Sequence, residues 1–180
     1  GTQGGIGFGY QYGSTFERIS GDRDGSDGNW GFGISDSANL DVSNIRSGVA
    51  QGFAIEYVRV HHSQFSRHRV SSSNARGIKW AGCSNNQWTD MKVERAGALN
   101  TSWYTGFSIT GQCHDNWGRG ISVQGSIETG IWFDGSGNHH NHLTDCLSKG
   151  NAIGSGFDVW IPQGDSFNYV EGRFGTTTNN

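Results

Sequence analysis

A four-residue pattern, glycine–apolar–any–apolar, recurs along the whole chain. One copy is Gly130-Ile131-Trp132-Phe133, near the start of the stretch TGIWFDGSGNHHNH. Successive copies begin 21 to 29 residues apart. The seven copies begin at Gly5, Gly31, Gly52, Gly77, Gly106, Gly130 and Gly156. Self-similarity at such a period indicates a repeat architecture, in which each repeat packs only against its neighbours.

The tetrad alternates, so it predicts a strand whose two apolar residues point inward. A weaker strand such as Leu40-Asp41-Val42 follows in most periods, and polar turns such as Ser84-Asn85-Asn86 separate the two. The 30 glycines in 180 residues oppose helical repeats. The period is shorter than that of propeller blades, and the scaffold of leucine-rich repeats is absent. The remaining solution is a coil of short strands and turns, which is a parallel β-solenoid.

The chain resembles the right-handed parallel β-helix family, which includes the pectate-lyase-like enzymes and the central domains of bacteriophage tailspikes. The segments GFAIEYVRVHHS (52–63) and GIWFDGSGNHHNHLTDCLSKGN (130–151) carry the resemblance. We therefore expect an all-β, right-handed, single-stranded parallel β-helix of about seven coils. Residues 1–180 are expected to form one domain and to be a fragment of a longer chain.

Composition excludes several classes of protein. The net charge is −3, so no broad basic field attracts nucleic acid. Apolar runs are too short for a membrane span. Cys83, Cys113 and Cys146 form no CxxC pair and are expected to be buried, reduced fillers. The acidic stretch 22–27 fits a solvated turn better than a calcium loop, and residues 100–102 match a glycosylation sequon. No metal or other cofactor is expected.

The residues between the apolar positions of each tetrad point outward. Towards the end of the chain these positions hold Trp132, Asp134, Asp158 and Trp160. An outward tryptophan exposes apolar area that a ligand or a partner can cover. We expect the two tryptophans on adjacent coils, offset by two residues, with the two aspartates on the complementary diagonal. Phe107, in contrast, is expected in the core between the equivalent residues of its neighbours.

Paired carboxylates beside aromatic rings are typical of sites that cleave polysaccharides. Adjacent strands lie about 4.8 Å apart, which makes the diagonal between the Asp134 and Asp158 backbones roughly 8 Å. Their carboxyl groups then fall within the range of about 5 to 10 Å that glycosidases use. Glu56 is about 14 Å from Asp134, too far to form a pair with it. The predicted site residues are Asp134, Asp158 and Glu56 for catalysis and Trp132, Trp160 and Lys79 for substrate binding.

Three histidines, His139, His140 and His142, follow the same tetrad in a turn. Imidazoles bind transition metals, but no second ligand cluster is readable, and a polar solvated turn is the favoured interpretation. Lys79 and Arg76 would suit a lyase, in which a cation stabilises the enolate. The sets of Asp, Arg and Lys of calcium-dependent pectate lyases, and the paired Asp motifs of polygalacturonases, are absent from the sequence.

The leading hypothesis is a β-helix domain that binds and degrades a polysaccharide, as a tailspike-type glycoside hydrolase. One alternative is a polysaccharide lyase or epimerase. Another is a non-catalytic adhesion or structural shaft of a trimeric fibre. The resemblance implies a polysaccharide partner, a homotrimer, and an extracellular or virion-surface location. Neither nucleic acid nor membrane insertion is expected.

Overall fold

The computed structural model of the chain describes residues 5–21, 30–50, 52–96, 105–135, 137–151, 158–162 and 164–175. The acidic stretch 22–27 and the sequon 100–102 lie outside these residues. Every regular element within the described ranges is a β-strand, which confirms the all-β prediction. In chain order the strands are β1 (Ile6–Gly9), β2 (Thr15–Glu17), β3 (Ser20–Gly21), β4 (Trp30–Ala38), β5 (Asp41–Ser43), β6 (Arg46–Ala50), β7 (Phe53–His61), β8 (Gln64–Ser66), β9 (Arg69–Ser73), β10 (Ile78–Ala81), β11 (Gln87–Thr89), β12 (Lys92–Glu94), β13 (Thr105–Thr110), β14 (Trp117–Arg119), β15 (Ser122–Gln124), β16 (Thr129–Asp134), β17 (His142–Lys149), β18 (Val159–Trp160) and β19 (Tyr169–Phe174).

The strands stack into three parallel faces. Face 1 contains β1, β4, β7, β10, β13, β16 and β18 in that order. Face 2 contains β2, β5, β8, β11 and β14, and face 3 contains β3, β6, β9, β12 and β15. The long strand β17 joins the last two faces, because its start pairs with β14 and its end with β15. The result is a parallel β-solenoid of about six turns, close to the seven coils expected.

The core is a ladder of apolar side chains between the faces. Phe107 stands in register with Ile78 on one side and Ile131 on the other, and all three are fully buried. Aromatic rings fill the middle turns: Trp80 stacks on Tyr57 at 4.3 Å and on Trp88 at 4.4 Å between ring centroids. The predicted inward phase of Phe107 is therefore confirmed.

An asparagine ladder runs inside the corner between faces 1 and 2. Asn86, Asn116, Asn141 and Asn168 occupy equivalent places on successive turns, just before the strands of face 2. The side-chain amide of Asn116 donates to Asn141 Oδ1 at 2.8 Å and to the Cys83 carbonyl at 2.9 Å. Its own Oδ1 accepts from the Asn86 amide at 3.0 Å. The ladder satisfies buried backbone groups where the chain turns and forms no regular sheet.

The corners are built on residues in the left-handed region of backbone conformation. Six turns place such residues in three columns, with a spacing of three residues and then five, and a seventh set has members in the first two columns. The first column is Tyr10, Asp36, Arg59, Gly82, Gln112, Gly137 and Gly164. The second is Gly13, Asn39, His62, Asn85, Asp115, His140 and Phe167, and the third is Arg18, Asn44, Arg67, Asp90, Gly120 and Asp145. Many members are neither glycine nor asparagine, although those residues adopt this conformation most readily.

The three cysteines are free and buried, as predicted. The backbone amide of Cys83 donates to the Cys113 sulfur at 3.2 Å. Burial raises the pKa of the Cys83 thiol far above its usual range and that of Cys146 to about 12. Since thiolates are the reactive form, Cys83 and Cys146 act as apolar packing groups rather than as nucleophiles.

Candidate functional site

Face 1 presents two outward columns of side chains. Ile131 and Phe133 of β16 are fully buried, whereas Trp132 and Asp134 are partly exposed, so the predicted strand phase is confirmed here. The column that contains Trp132 is Gly7, Gly33, Glu56, Lys79, Ser108, Trp132 and Trp160. The column that contains Asp134 is Gly9, Ser35, Val58, Ala81, Thr110 and Asp134.

Glu56 stands in the column of Trp132. Alignment of the tetrads predicts it instead in the column of Asp134. Strand β7 is shifted by two residues, so that Ile55 rather than Phe53 aligns with Ile78. Residues 53, 55 and 57 are all apolar, so alternation alone allows either alignment. Packing decides between them, because the shift buries the Tyr57 ring against Trp80.

A second shift of two residues affects Asp158. Trp160 pairs directly with Trp132, without the predicted offset. Asp158 is only 1% exposed, and its Oδ1 accepts a 2.7 Å hydrogen bond from the Asn151 amide. The predicted outward position of Asp158 on a diagonal from Asp134 is therefore wrong. Asp158 directly precedes the short strand β18. Its hydrogen bond to Asn151 anchors the start of this strand to the preceding corner.

Trp132 and Asp134 are joined by an arginine from two strands away. Arg76 Nη2 donates to Asp134 Oδ2 at 2.8 Å, and the Arg76 guanidinium lies 5.5 Å from the centroid of the Trp132 ring. The Arg76 side chain is 9% exposed and that of Asp134 is 23% exposed. Ser108, on the strand between them, is small enough for Arg76 to cross it. The arginine thus fixes the orientation of both an aromatic platform and a carboxylate.

Lys79 and Glu56 form a second ion pair on the same face. Lys79 Nζ lies 2.7 Å from Glu56 Oε1 and 4.7 Å from the centroid of the Phe53 ring. Phe53 was assigned to the core from the tetrad, yet its ring also contacts Arg76. Phe53 is the first residue of β7, and a strand terminus need not keep the inward phase that the tetrad predicts.

The carboxylates of face 1 do not form the pair that a glycosidase needs. Asp134 lies beside Trp132, whereas Glu56 lies three strands away, about 14 Å along the stack. Asp158 is buried, as described above. Retaining and inverting enzymes hold their carboxyl groups about 5 to 10 Å apart. Among the residues described on this face, the geometry supports ligand binding better than general acid–base hydrolysis.

The histidine turn lies at the corner between faces 1 and 2. The rings of His114 and His139 stack at 5.0 Å, and Asp115 Oδ2 lies 2.9 Å from His114 Nδ1. The His114 imidazole beside it lowers the pKa of the Asp115 carboxyl. In the part of the chain that is described, no three His, Cys, Asp or Glu side chains are grouped to hold a metal ion.

In comparisons with protein-family models, with curated proteins and with solved structures, nothing matches this chain. The parallel solenoid is compatible with the parallel β-helix fold, and the fold is the level at which the resemblance is supported. No helix long and apolar enough to cross a membrane occurs among the described residues.

Proposed function

We propose that face 1 binds a polysaccharide. The observation that carries this proposal is the direct pairing of Trp132 with Trp160 on adjacent strands. Both rings are partly exposed on the outward side of the sheet. Adjacent strands lie about 4.8 Å apart, so the two rings form one aromatic strip along the solenoid axis. A strip of this kind suits an extended chain of sugar rings rather than a compact ligand.

The groups beside the strip supply the polar part of sugar recognition. Indole rings pack against the apolar faces of pyranoses, and hydroxyl groups need donors and acceptors at their edges. Asp134 offers acceptor oxygens and is held in place by Arg76. Lys79 and Glu56 continue the polar edge along the same column as the tryptophans. Aromatic faces flanked by fixed polar groups are the arrangement that a glycan requires.

Cleavage of the bound chain stays a prediction, as do the trimer and the extracellular or virion-surface location. If Asp134 is catalytic, Asp134→Asn should lower turnover by orders of magnitude while binding persists. Reducing ends measure hydrolysis, and the ultraviolet absorbance of an unsaturated product measures elimination. Binding without either product supports the adhesion alternative.

The binding proposal is tested with a panel of bacterial surface and plant polysaccharides. We expect Trp132→Ala and Trp160→Ala each to weaken binding by about 1–3 kcal/mol, by analogy with aromatic platforms under nucleic-acid bases. Trp117→Ala is the matched control, because Trp117 is 60% exposed but lies on face 2. Affinity electrophoresis with each polysaccharide in the gel gives the dissociation constants.

Two outcomes contradict the proposal. One is that no polysaccharide of the panel retards the unmodified protein. The other is that the double Trp132→Ala, Trp160→Ala variant keeps full affinity. Circular dichroism must show that this variant retains its strand signal, so that a loss of binding is not a loss of fold.

A further inference from the structure

Face 3 carries a column of cations, separate from the site on face 1. Arg46, Arg69 and Lys92 stand in direct register on three adjacent strands. Arg46 and Arg69 are exposed, and Lys92 is partly exposed. Two further arginines, Arg18 and Arg67, occupy the neighbouring corner column. The cluster is positive although the chain as a whole has a net charge of −3.

Three of these five cations form no ion pair with a carboxylate in the part of the chain that the structure describes. Among the residues that the structure describes, no carboxylate oxygen lies within 4.0 Å of the guanidinium nitrogens of Arg46, Arg67 or Arg69. Arg67 instead donates to the side-chain oxygen of Asn44 at 2.9 Å. Among the described residues, Glu17 lies beside Arg18 and Glu94 beside Lys92. The pKa of the Glu94 carboxyl is lowered by Lys92 and, more weakly, by Arg95 and Arg69.

Like charges placed directly opposite each other destabilise a sheet. Two exposed arginines elsewhere in the solenoid avoid such repulsion by pairing with an aspartate on the adjacent turn. Arg59 lies 2.5 Å from Asp36 on the adjacent turn, and Arg119 lies 2.7 Å from Asp145. Arg46 and Arg69 form no such ion pair with an aspartate among the described residues. The register therefore concentrates positive charge at this part of face 3.

A surface hollow lies beside the cation column. It has a volume of about 350 Å³ and is lined by Arg18, Ser20, Asn44 and Arg46. Two arginines, a serine and an asparagine therefore line one concavity. Guanidinium groups bind carboxylate and sulfate oxygens in a planar, two-point manner, and the hydroxyl and amide supply further donors.

We propose that this basic column binds an acidic polysaccharide, with the glycan chain running along the solenoid axis. Cations repeat about every 4.8 Å along the stack, which matches a polymer that carries charge at regular intervals better than a single small anion. Single-stranded nucleic acid fits less well, because its binding relies on stacked aromatic side chains. The described outward column of face 3, from Ser20 to Arg173, holds no aromatic ring.

The test compares uncharged dextran, carboxymethyl-dextran and dextran sulfate, which share one backbone, with single-stranded and duplex DNA. We expect the unmodified protein to bind one or both charged dextrans at least about tenfold more tightly than dextran. The two charged forms separate carboxylate from sulfate as the preferred group. Affinity should fall steeply with rising salt, because released counterions contribute to such binding.

The decisive variant is Arg46→Gln, Arg69→Gln. It should lose about tenfold in affinity for the charged dextran per arginine. It should unfold at the same or a higher denaturant concentration, since like-charge repulsion is removed. Arg119→Gln is the matched control, because it makes the same change at an exposed arginine on face 2 and should leave affinity unchanged.

The proposal is overturned if the unmodified protein binds the charged dextrans no better than dextran, or if that binding is insensitive to salt. It is equally overturned if the double glutamine variant binds like the unmodified protein. Tighter binding of DNA than of both charged dextrans would reassign the column to nucleic acid and refute the glycan assignment.

Discussion

His68 makes the stability of the solenoid depend on pH. Its ring is fully buried, with Nδ1 2.9 Å from the Ser66 carbonyl and Nε2 2.5 Å from the Tyr57 hydroxyl. A carbonyl can only accept, so Nδ1 carries the proton and Nε2 accepts from Tyr57. The neutral ring is therefore satisfied, and burial lowers the pKa of His68 from 6.5 to about 4.

The sign and the size of the effect follow from proton linkage. When the pH falls below 6.5, the unfolded chain binds a proton at this histidine and the folded chain does not, so stability falls. The loss is complete once the pH drops through about 4. A shift of this size corresponds to about 3 kcal/mol, of which about 2 kcal/mol is lost between pH 7 and pH 5.

Urea denaturation at several pH values measures this loss, with His68→Gln as the comparison. Glutamine keeps a donor and an acceptor but does not titrate. We expect the unmodified protein to lose about 2 kcal/mol more than the variant between pH 7 and pH 5. The pKa of His61 is also lowered, by partial burial and then by His62 and His114, but that contribution is common to both proteins and cancels. Equal pH slopes for the two proteins would refute the reasoning.

Two further predictions concern the core. Phe107→Ala should lower the free energy of unfolding by about 3–5 kcal/mol, whereas Ser108→Ala, on the outward side of the same strand, should be nearly neutral; equal losses in urea denaturation would mean that the strand phase is wrong. Asn116→Ala removes the amide that serves Cys83 and the two flanking asparagines, and should cost about 1–3 kcal/mol for each buried group left unpaired. The control is Gln87→Ala, which removes an exposed amide. An equal loss of unfolding free energy in urea denaturation of the control would contradict the role of the ladder.

The sequence predicts the architecture well, because the tetrad spacing and the alternation within each tetrad are direct consequences of stacking. It predicts register less well. Where apolar residues alternate over more than four positions, as from Phe53 to Tyr57, two alignments bury equal numbers of them, and only ring packing against the next turn selects one. Asp158 was misplaced for a related reason, since an outward phase holds only where the strand has already begun.

The corners and the asparagine ladder could not be predicted from residue type. Arg59 and Phe167 adopt left-handed conformations that usually indicate glycine or asparagine. Their positions follow from stacking on neighbouring turns, which outweighs local preference. The asparagines of the ladder recur at intervals like those of the tetrads, but a polar turn and a buried amide ladder have the same composition. The positions of Trp132 and Trp160 on adjacent turns could be predicted from the sequence. The bridge from Arg76 to Asp134 could not, because it depends on how three strands stack.

The fixed spacing of the corner columns has a consequence for how such a protein can diversify. From the third corner of one turn to the first corner of the next, the chain varies from 15 to 22 residues, whereas the other two spacings never change. All length variation is thus confined to the stretch that contains faces 3 and 1. Face 2 and its corners keep the same number of residues in every turn where all three corners are present. Segments grafted before the strands of face 1 should reshape the borders of the tryptophan strip without disturbing the stack, which makes that side of the molecule the natural place to engineer new specificity.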